Sequence, residues 1–154
     1  MDKELLLQDL IEDYKSISRQ GIAPCMTDMK PVFREYRHKE LLTVSYPVLG
    51  SYLNPRRTMQ GGFITAAFDN TFGALSYYSA GKKFMATIDM HTRYHCPIFE
   101  EDELTVTAYM VSLGKTIISM RGEAVNKEGR LIATAGTDVM IMDSDLQQCK
   151  PLAE

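Results

Sequence analysis

Residues 60–83, QGGFITAAFDNTFGALSYYSAGKK, decide how this chain is read. After the paired glycines Gly61-Gly62 the run is small and apolar all round, with a single charge at Asp69. A helix lying on a surface would show a polar stripe. This pattern has none, so it predicts a helix of about 18 residues buried on nearly every side. The two glycines permit a tight start and let other backbone come close. At the far end, Gly81-Lys82-Lys83 supplies a C-cap glycine and two cations at the negative end of the helix dipole.

Such a helix needs a wrapper, and the flanking sequence reads as one. Upstream, residues 41–48 alternate, with Leu42, Val44, Tyr46 and Val48 on one face. Pro47 suggests an edge or a bend there. Downstream come four strand-like runs, 84–96, 104–113, 116–126 and 130–142. In the first, Ala86, Ile88, Met90, Thr92, Tyr94 and Cys96 share one face, and Thr87, Asp89, His91, Arg93 and His95 the other. The last two runs flank Lys127-Glu128-Gly129, a hairpin turn with glycine available for positive φ. Residues 2–20 carry Leu6, Leu7, Leu10, Ile11, Tyr14 and Ile17 at helical spacing, with Gly21 as the stop. Residues 21–31 hold two prolines and read as a connector. The expected class is α+β: an antiparallel sheet of about five strands wrapped round a long central helix. The expected parts are a helical extension over 1–30, the main domain over 31–143 and a polar tail over 144–154. One sheet round one helix leaves a face and an edge exposed, and edge pairing into a dimer is the usual remedy.

The composition agrees with a soluble globular domain. The chain has 154 residues, 45% hydrophobic and 24% charged. A chain of this length buries roughly two-thirds of its surface on folding, enough for a core without staples. Seventeen Lys and Arg against twenty Asp and Glu give −3, a poor balance for binding nucleic acid. Three cysteines, at 25, 96 and 149, form no CxxC, which argues against a disulfide framework and a zinc site. The start, MDKELLLQDLIEDYK, lacks the features of a signal peptide, and no apolar stretch of about 18 residues offers a membrane span. The expectation is a reduced, cytoplasmic protein.

Two features of the central stretch point to chemistry. Gly61-Gly62 opens the helix, so unpaired backbone N–H groups and the positive dipole end point outward together, which suits an oxyanion. Asp69 lies about two turns further on. A carboxylate in an apolar helix calls for a use or a partner. It either does chemistry or bonds a backbone group or Thr hydroxyl as a packing device.

These residues belong to an ordered set. Asn54, Gln60-Gly61-Gly62 and Asp69 are followed by Ala86-Thr87-Ile88-Asp89-Met90 and by Arg93-Tyr94 through Cys96-Pro97. The set resembles the hotdog-fold acyl-CoA thioesterases, in particular the PaaI-like branch of the phenylacetate pathway, over roughly residues 40–142. The family pattern is an Asn, a short loop, His-Gly-Gly, then an acidic residue on the central helix. Gln60 stands where the branch usually has His, which removes an imidazole from that position. The resemblance implies hydrolysis of an acyl-CoA without metal or organic cofactor. The Gly61 N–H would hold the oxyanion, and Asp69, from the partner subunit of a dimer or dimer of dimers, would serve as nucleophile or general base. Asn54 and Thr87 would position water or Asp69, and Gln60 would donate to the substrate or orient the loop. Gly62, Arg56, Arg57, Lys82, Lys83 and Lys115 are the candidates for binding substrate, the cations for the CoA phosphates. Two other readings stay open: a hotdog protein that binds acyl-CoA without turnover, and a hotdog hydratase or dehydratase, which would rely on a His near the helix start.

Other signals carry less. His91 and His95 resemble an HxxxH metal pair, but on a strand they stand about 13 Å apart. Gly114-Lys115-Thr116 echoes a phosphate loop, yet Tyr109 occupies the place of its first glycine. No GxSxG occurs. Cys96 reads as packing, and the ten methionines as core filler, a few of them able to line an acyl pocket.

Overall fold

The computed structural model describes residues 5–142. The tail over 144–154, with Cys149, and the first four residues lie outside them. The central stretch folds as predicted, as helix α3 (Gly61–Ser79). Ile64, Phe68, Phe72 and Leu75 are buried along it. A six-stranded antiparallel sheet wraps it in the order β1-β2-β4-β5-β6-β3. Its strands are β1 (Val32–Arg37), β2 (Leu41–Pro47), β3 (Met85–Tyr94), β4 (Glu103–Leu113), β5 (Ile117–Val125) and β6 (Leu131–Ile141).

The sixth strand, β1, corrects the expectation of about five. Its sequence, VFREYR, is half charged, and its ladder to β2 shifts register between Phe33 and Glu35. The irregularity breaks the alternation by which a strand is recognised. The connector over 21–31 also contains a short helix, α2 (Pro24–Asp28), with Pro24 in its first turn, where proline is favoured. The N-terminal helix α1 (Leu7–Arg19) forms as read, and the Asp9 carboxylate accepts the Leu6 N–H at its start. Both long helices end alike. Gly21 (φ +71°) lets the Ile22 N–H reach the Ile17 carbonyl, and Gly81 (φ +71°) lets the Lys82 N–H reach that of Tyr77. Among the described residues no helix is long and apolar enough to cross a membrane.

The core lies between α3 and the concave face of the sheet. Inward residues alternate along each strand: Leu42, Val44 and Tyr46 on β2; Leu104, Val106 and Ala108 on β4; Ile118, Met120 and Ala124 on β5. Gly122 interrupts the β5 series for a spatial reason. A Cβ there would come within 3.1 Å of the rings of Phe68 and Phe72, so the aromatic pair of α3 rests directly on strand backbone. The buried Tyr46 hydroxyl is satisfied by Thr71 at 3.0 Å, and the Thr71 hydroxyl donates to the Ala67 carbonyl at 2.8 Å.

The sheet covers only part of α3, and the N-terminal helices cover more. The Tyr78 hydroxyl donates to Asp13 of α1 at 2.8 Å, and the Lys82 ammonium pairs with the same carboxylate at 3.0 Å. Tyr14 packs its ring on Phe33 of β1 at 4.9 Å, and its hydroxyl bonds Thr27 of α2. Leu10 of α1 is fully buried.

Phe68 is the test of this core. Phe68→Ala removes a fully buried ring stacked on Phe72. The expected loss is about 3–5 kcal/mol, read as a lower urea midpoint with an unchanged slope.

Candidate active site

The segment leading into α3 is a tight loop built on one side chain. The Asn54 carboxamide oxygen accepts the Arg56 N–H at 3.0 Å and the Thr58 N–H at 3.2 Å, and its amide donates to the Thr58 hydroxyl at 2.9 Å. Short bridges from Leu53 to Met59 and from Thr58 to Phe99 pin the loop to the fold. The Gln60 N–H then donates to the Tyr52 carbonyl at 2.8 Å, and Phe63 stacks on Tyr52 at 4.5 Å. The path of the chain into α3 is thereby set. Gln60 occupies the N-cap position, but its side chain makes no capping bond. Among the described residues, the N–H groups of Gly61 and Gly62 have no acceptor. They face outward with the positive end of the helix dipole behind them.

Three hydroxyl residues, given no site role in the sequence reading, brace this helix start. Tyr94 of β3 donates to the Gly61 carbonyl at 2.9 Å. Thr65 of α3 bonds both the Tyr94 hydroxyl, at 2.7 Å, and Thr92, at 2.9 Å. The Tyr94 ring lies so close that a Cβ on Gly61 would fall 2.8 Å from it. The signal was present in the alternation, which puts Thr92 and Tyr94 on one face of the strand.

Asp69 lies on α3 eight residues beyond Gly61, about 12 Å along the axis. Its carboxyl lies beside the Thr87 hydroxyl of β3, which favours the charged form. Burial pushes the carboxyl above its ordinary range, and the Thr87 bond opposes that rise. This contact corrects the predicted faces of β3. Thr87 pairs with Val139 of β6, but Asp89 already pairs with Asp138, so Ile88 is an extra residue. Before the bulge, Met85 and Thr87 face α3. After it, Met90, Thr92 and Tyr94 do, sharing one face as the alternation grouped them. A one-residue bulge exchanges the two sides of a strand, so Ala86 and Ile88 leave the helix face and Ile88 is 53% exposed. The Asp89 carbonyl accepts the Thr137 hydroxyl at 2.7 Å and its carboxylate the Asp138 N–H at 3.2 Å, which fixes the bulge.

Asp69 and Thr87 stand at a cavity of about 340 Å³. Tyr14, Ile17 and Met26 of the N-terminal helices border it, with Phe33 of β1, Gly73 and Tyr77 of α3, and Met85 and Val139 of the sheet. The structure thus brings Asp69 and Thr87 together and sets Gly61, Gly62 and Gln60 at the other end of the same helical segment. Asn54 spends its side chain within its own loop.

The five candidate cations do not form one patch. Arg57 pairs with Glu100 at 3.3 Å, and Arg56 sits on the same loop. Lys82 pairs with Asp13. Lys83 and Lys115 lie at the opposite end of β3, where Met142 bonds Phe84 and Ile141 bonds Thr116. The histidines turn elsewhere: His91 lies over Gly136, His95 bonds the Thr134 hydroxyl at 2.9 Å, and His38 bonds Tyr36 at 2.8 Å. None of the three lines the Asp69 cavity.

Comparison with known proteins gives a consistent family. Residues 57–133 match the family model of the thioesterase superfamily. Among solved structures, the PaaI protein of the E. coli phenylacetic acid degradation operon matches with a TM-score of 0.78 at 17% identity, over 90% of this chain and 96% of that one. A hypothetical thioesterase of Streptococcus pneumoniae, solved with coenzyme A, gives 0.68 at 21% identity, over 73% and 86%. The TT0310 protein of Thermus thermophilus gives 0.70 at 23% identity, over 77% and 97%. At these identities the likeness is one of fold. Comparison with curated proteins finds no match.

The glycine pair offers a test of the helix start. At Gly62 a Cβ would meet only the Gln60 side chain, at 3.9 Å. Gly62→Ala should therefore gain up to about 1 kcal/mol from helix propensity. Gly61→Ala should lose that gain to the collision with Tyr94, and the two urea midpoints should move apart.

Proposed function

This chain belongs to the thioesterase superfamily, and on that footing we propose that it hydrolyses an acyl-CoA thioester to the free acid and CoA. The observation that carries the reading is the Asp69–Thr87 pair: a carboxyl beside a hydroxyl at a largely apolar cavity. Coenzyme A in the S. pneumoniae relative and acetyl CoA in smu.793 of Streptococcus mutans support CoA as the carrier.

Gly61 and Asp69 lie about 12 Å apart on one helix, too far to reach one carbonyl. Two copies of α3 running antiparallel would set the Gly61 N–H of one protomer against the Asp69 of the other. The reading therefore includes a homodimer, with two equivalent sites shared between subunits. The exposed edge of β3, with Phe84, Ile88 and Tyr94 all more than half exposed, is the natural seam.

At such a site the thioester oxygen accepts the Gly61 N–H, and the dipole of α3 stabilises the charge that develops there. Asp69 acts in one of two ways. As a general base it takes a proton from water, whose oxygen adds to the carbonyl carbon. As a nucleophile it adds directly, giving an anhydride that water then opens. In both, the C–S bond breaks and CoA leaves as the thiol after taking up a proton. Thr87 holds the carboxylate in its charged form and fixed direction. Asn54 acts through the loop it folds, which aims Gln60 and Gly61, and the Gln60 amide is a donor to the substrate. Arg56 and Arg57, with Gly62, serve the CoA phosphates at the mouth, and Lys82, Lys83 and Lys115 serve them from the far end of β3.

A second reading, acyl-CoA binding without turnover, is favoured by Gln60 in place of the branch's usual His. Thiol release separates the two. If the chain hydrolyses thioesters, Asp69→Asn should lower kcat by about 10²–10⁴-fold with an unchanged melting temperature. In a pure binder it would change nothing. The pH profile gives a second check. Catalysis needs charged Asp69, so the acid limb of kcat/KM should lie above the usual carboxylate range. Thr87→Val removes the donor that favours the charged form, so the limb should move to higher pH.

A further inference from the structure

The open donors at the start of α3 are the N–H groups of Gly61 and Gly62, because the next two, of Phe63 and Ile64, both bond the Gln60 carbonyl. An oxyanion site is as good as the aim of its donors, which must already point where charge develops. Helix ends fray, and two glycines in a row have more backbone freedom than any other pair. Something has to hold them. Gln60 does not, for its side chain makes no capping bond. Tyr94 of β3 grips Gly61 at two points. Its ring lies so near that a Cβ on Gly61 would fall 2.8 Å from it, and its hydroxyl donates to the Gly61 carbonyl at 2.9 Å. A carbonyl in the first turn of a helix is satisfied by the N–H four residues on, so this bond is surplus to the fold. Nor does burial force it, since Tyr94 is 52% exposed and water could satisfy its hydroxyl. The phenol is held in turn by Thr65 at 2.7 Å, and Thr65 by Thr92 at 2.9 Å.

We propose that Tyr94 is a positioning residue for thioester hydrolysis: it holds Gly61 in one orientation, so that the Gly61 N–H stays aimed at the thioester oxygen. The role rests on the hydrolytic reading for its reaction and on the contacts at Gly61 for its geometry. Gripped at its Cα and at its carbonyl, Gly61 keeps one direction for its N–H. The Gly61 carbonyl and the Gly62 N–H are the two ends of one planar peptide unit. The phenol bond therefore fixes that plane as well, and it strengthens the Gly62 N–H as a donor. Thr65 and Thr92 act one step further out, by keeping the phenol over the glycine.

The test measures thiol release from acetyl-, octanoyl- and phenylacetyl-CoA by the full chain. Tyr94→Phe keeps the ring and removes the hydroxyl. Its kcat should fall about tenfold, a part of the roughly 10²–10³-fold that losing an oxyanion donor outright costs. KM should stay within about twofold, because the donor serves charge that develops only in the transition state. The melting temperature should drop by no more than about 4 °C, as for one hydrogen bond open to water. Thr65→Val should share the loss of rate, and Thr65→Ser, which keeps the hydroxyl, should recover most of it. Tyr109→Phe, which removes a hydroxyl bonded to Glu123 on another part of the sheet, should leave the rate alone. A second measurement does not require turnover: NMR of the chain labelled with [15N]glycine, which shows its ten glycines. In Tyr94→Phe the Gly61 and Gly62 signals should move most. An unchanged kcat in Tyr94→Phe would overturn the role while leaving hydrolysis standing, as would a loss confined to KM or glycine signals that stay in place. No turnover of any ester by wild type would overturn hydrolysis and the role together.

Discussion

Everything in this fold follows from the need to cover one apolar helix. A single curved sheet can bury one side of α3, and here it does so with the rings of Phe68 and Phe72 resting on the bare backbone at Gly122. The remaining surface of the helix is the side that carries Asp69, Gly73 and Tyr77. It meets the N-terminal helices, the edge strand β3 and the cavity between them. The Asp69 cavity sits where the coverage is incomplete. A carboxylate deep in the sheet-facing core would be neutral and inert. One in open water would have an ordinary pKa. Asp69 lies between these limits: it is exposed in the single chain, yet the neighbours that desolvate its carboxyl raise it, and the Thr87 hydroxyl opposes that rise.

The second constraint is the register of β3. Its single bulge at Ile88 lets Thr87 and the pair Thr92–Tyr94 all face α3, although their numbering places them on opposite sides of a regular strand. One end of the strand thus braces the start of the helix through Tyr94 and Gly61. The other end holds the carboxylate. A single strand therefore fixes the distance between the open N–H groups and Asp69 as firmly as the helix does.

Much of this was legible in the residues. The central helix was visible because nineteen positions carry one charge, and its ends because glycines mark both. Asp69 stood out for the same reason. What stayed hidden has physical causes. The alternation in β1 is broken by charged residues and a register shift, so the strand went unread. The bulge in β3 is set by bonds from Thr137 and Asp138, far away in sequence, so the parity at Ala86, Thr87 and Ile88 came out reversed. Tyr94 and Thr65 meet only in the folded chain, 29 residues apart, where Tyr94 also reaches Gly61 and Thr65 also reaches Thr92. Asn54 was expected to position water or Asp69, and in this chain its carboxamide bonds Arg56 and Thr58 of its own loop. The candidate cations fall at the two ends of β3, a strand about 33 Å long, which their positions in the sequence do not reveal.

The N-terminal helices add no rung to the ladder. Inserting one residue within β3 would turn Thr87 away from the carboxylate and reverse every side chain beyond it. Inserting one between Arg19 and Pro24 would move a wall of the cavity and leave every strand pair intact. The floor of this site is therefore frozen by register, while its outer wall is free to drift.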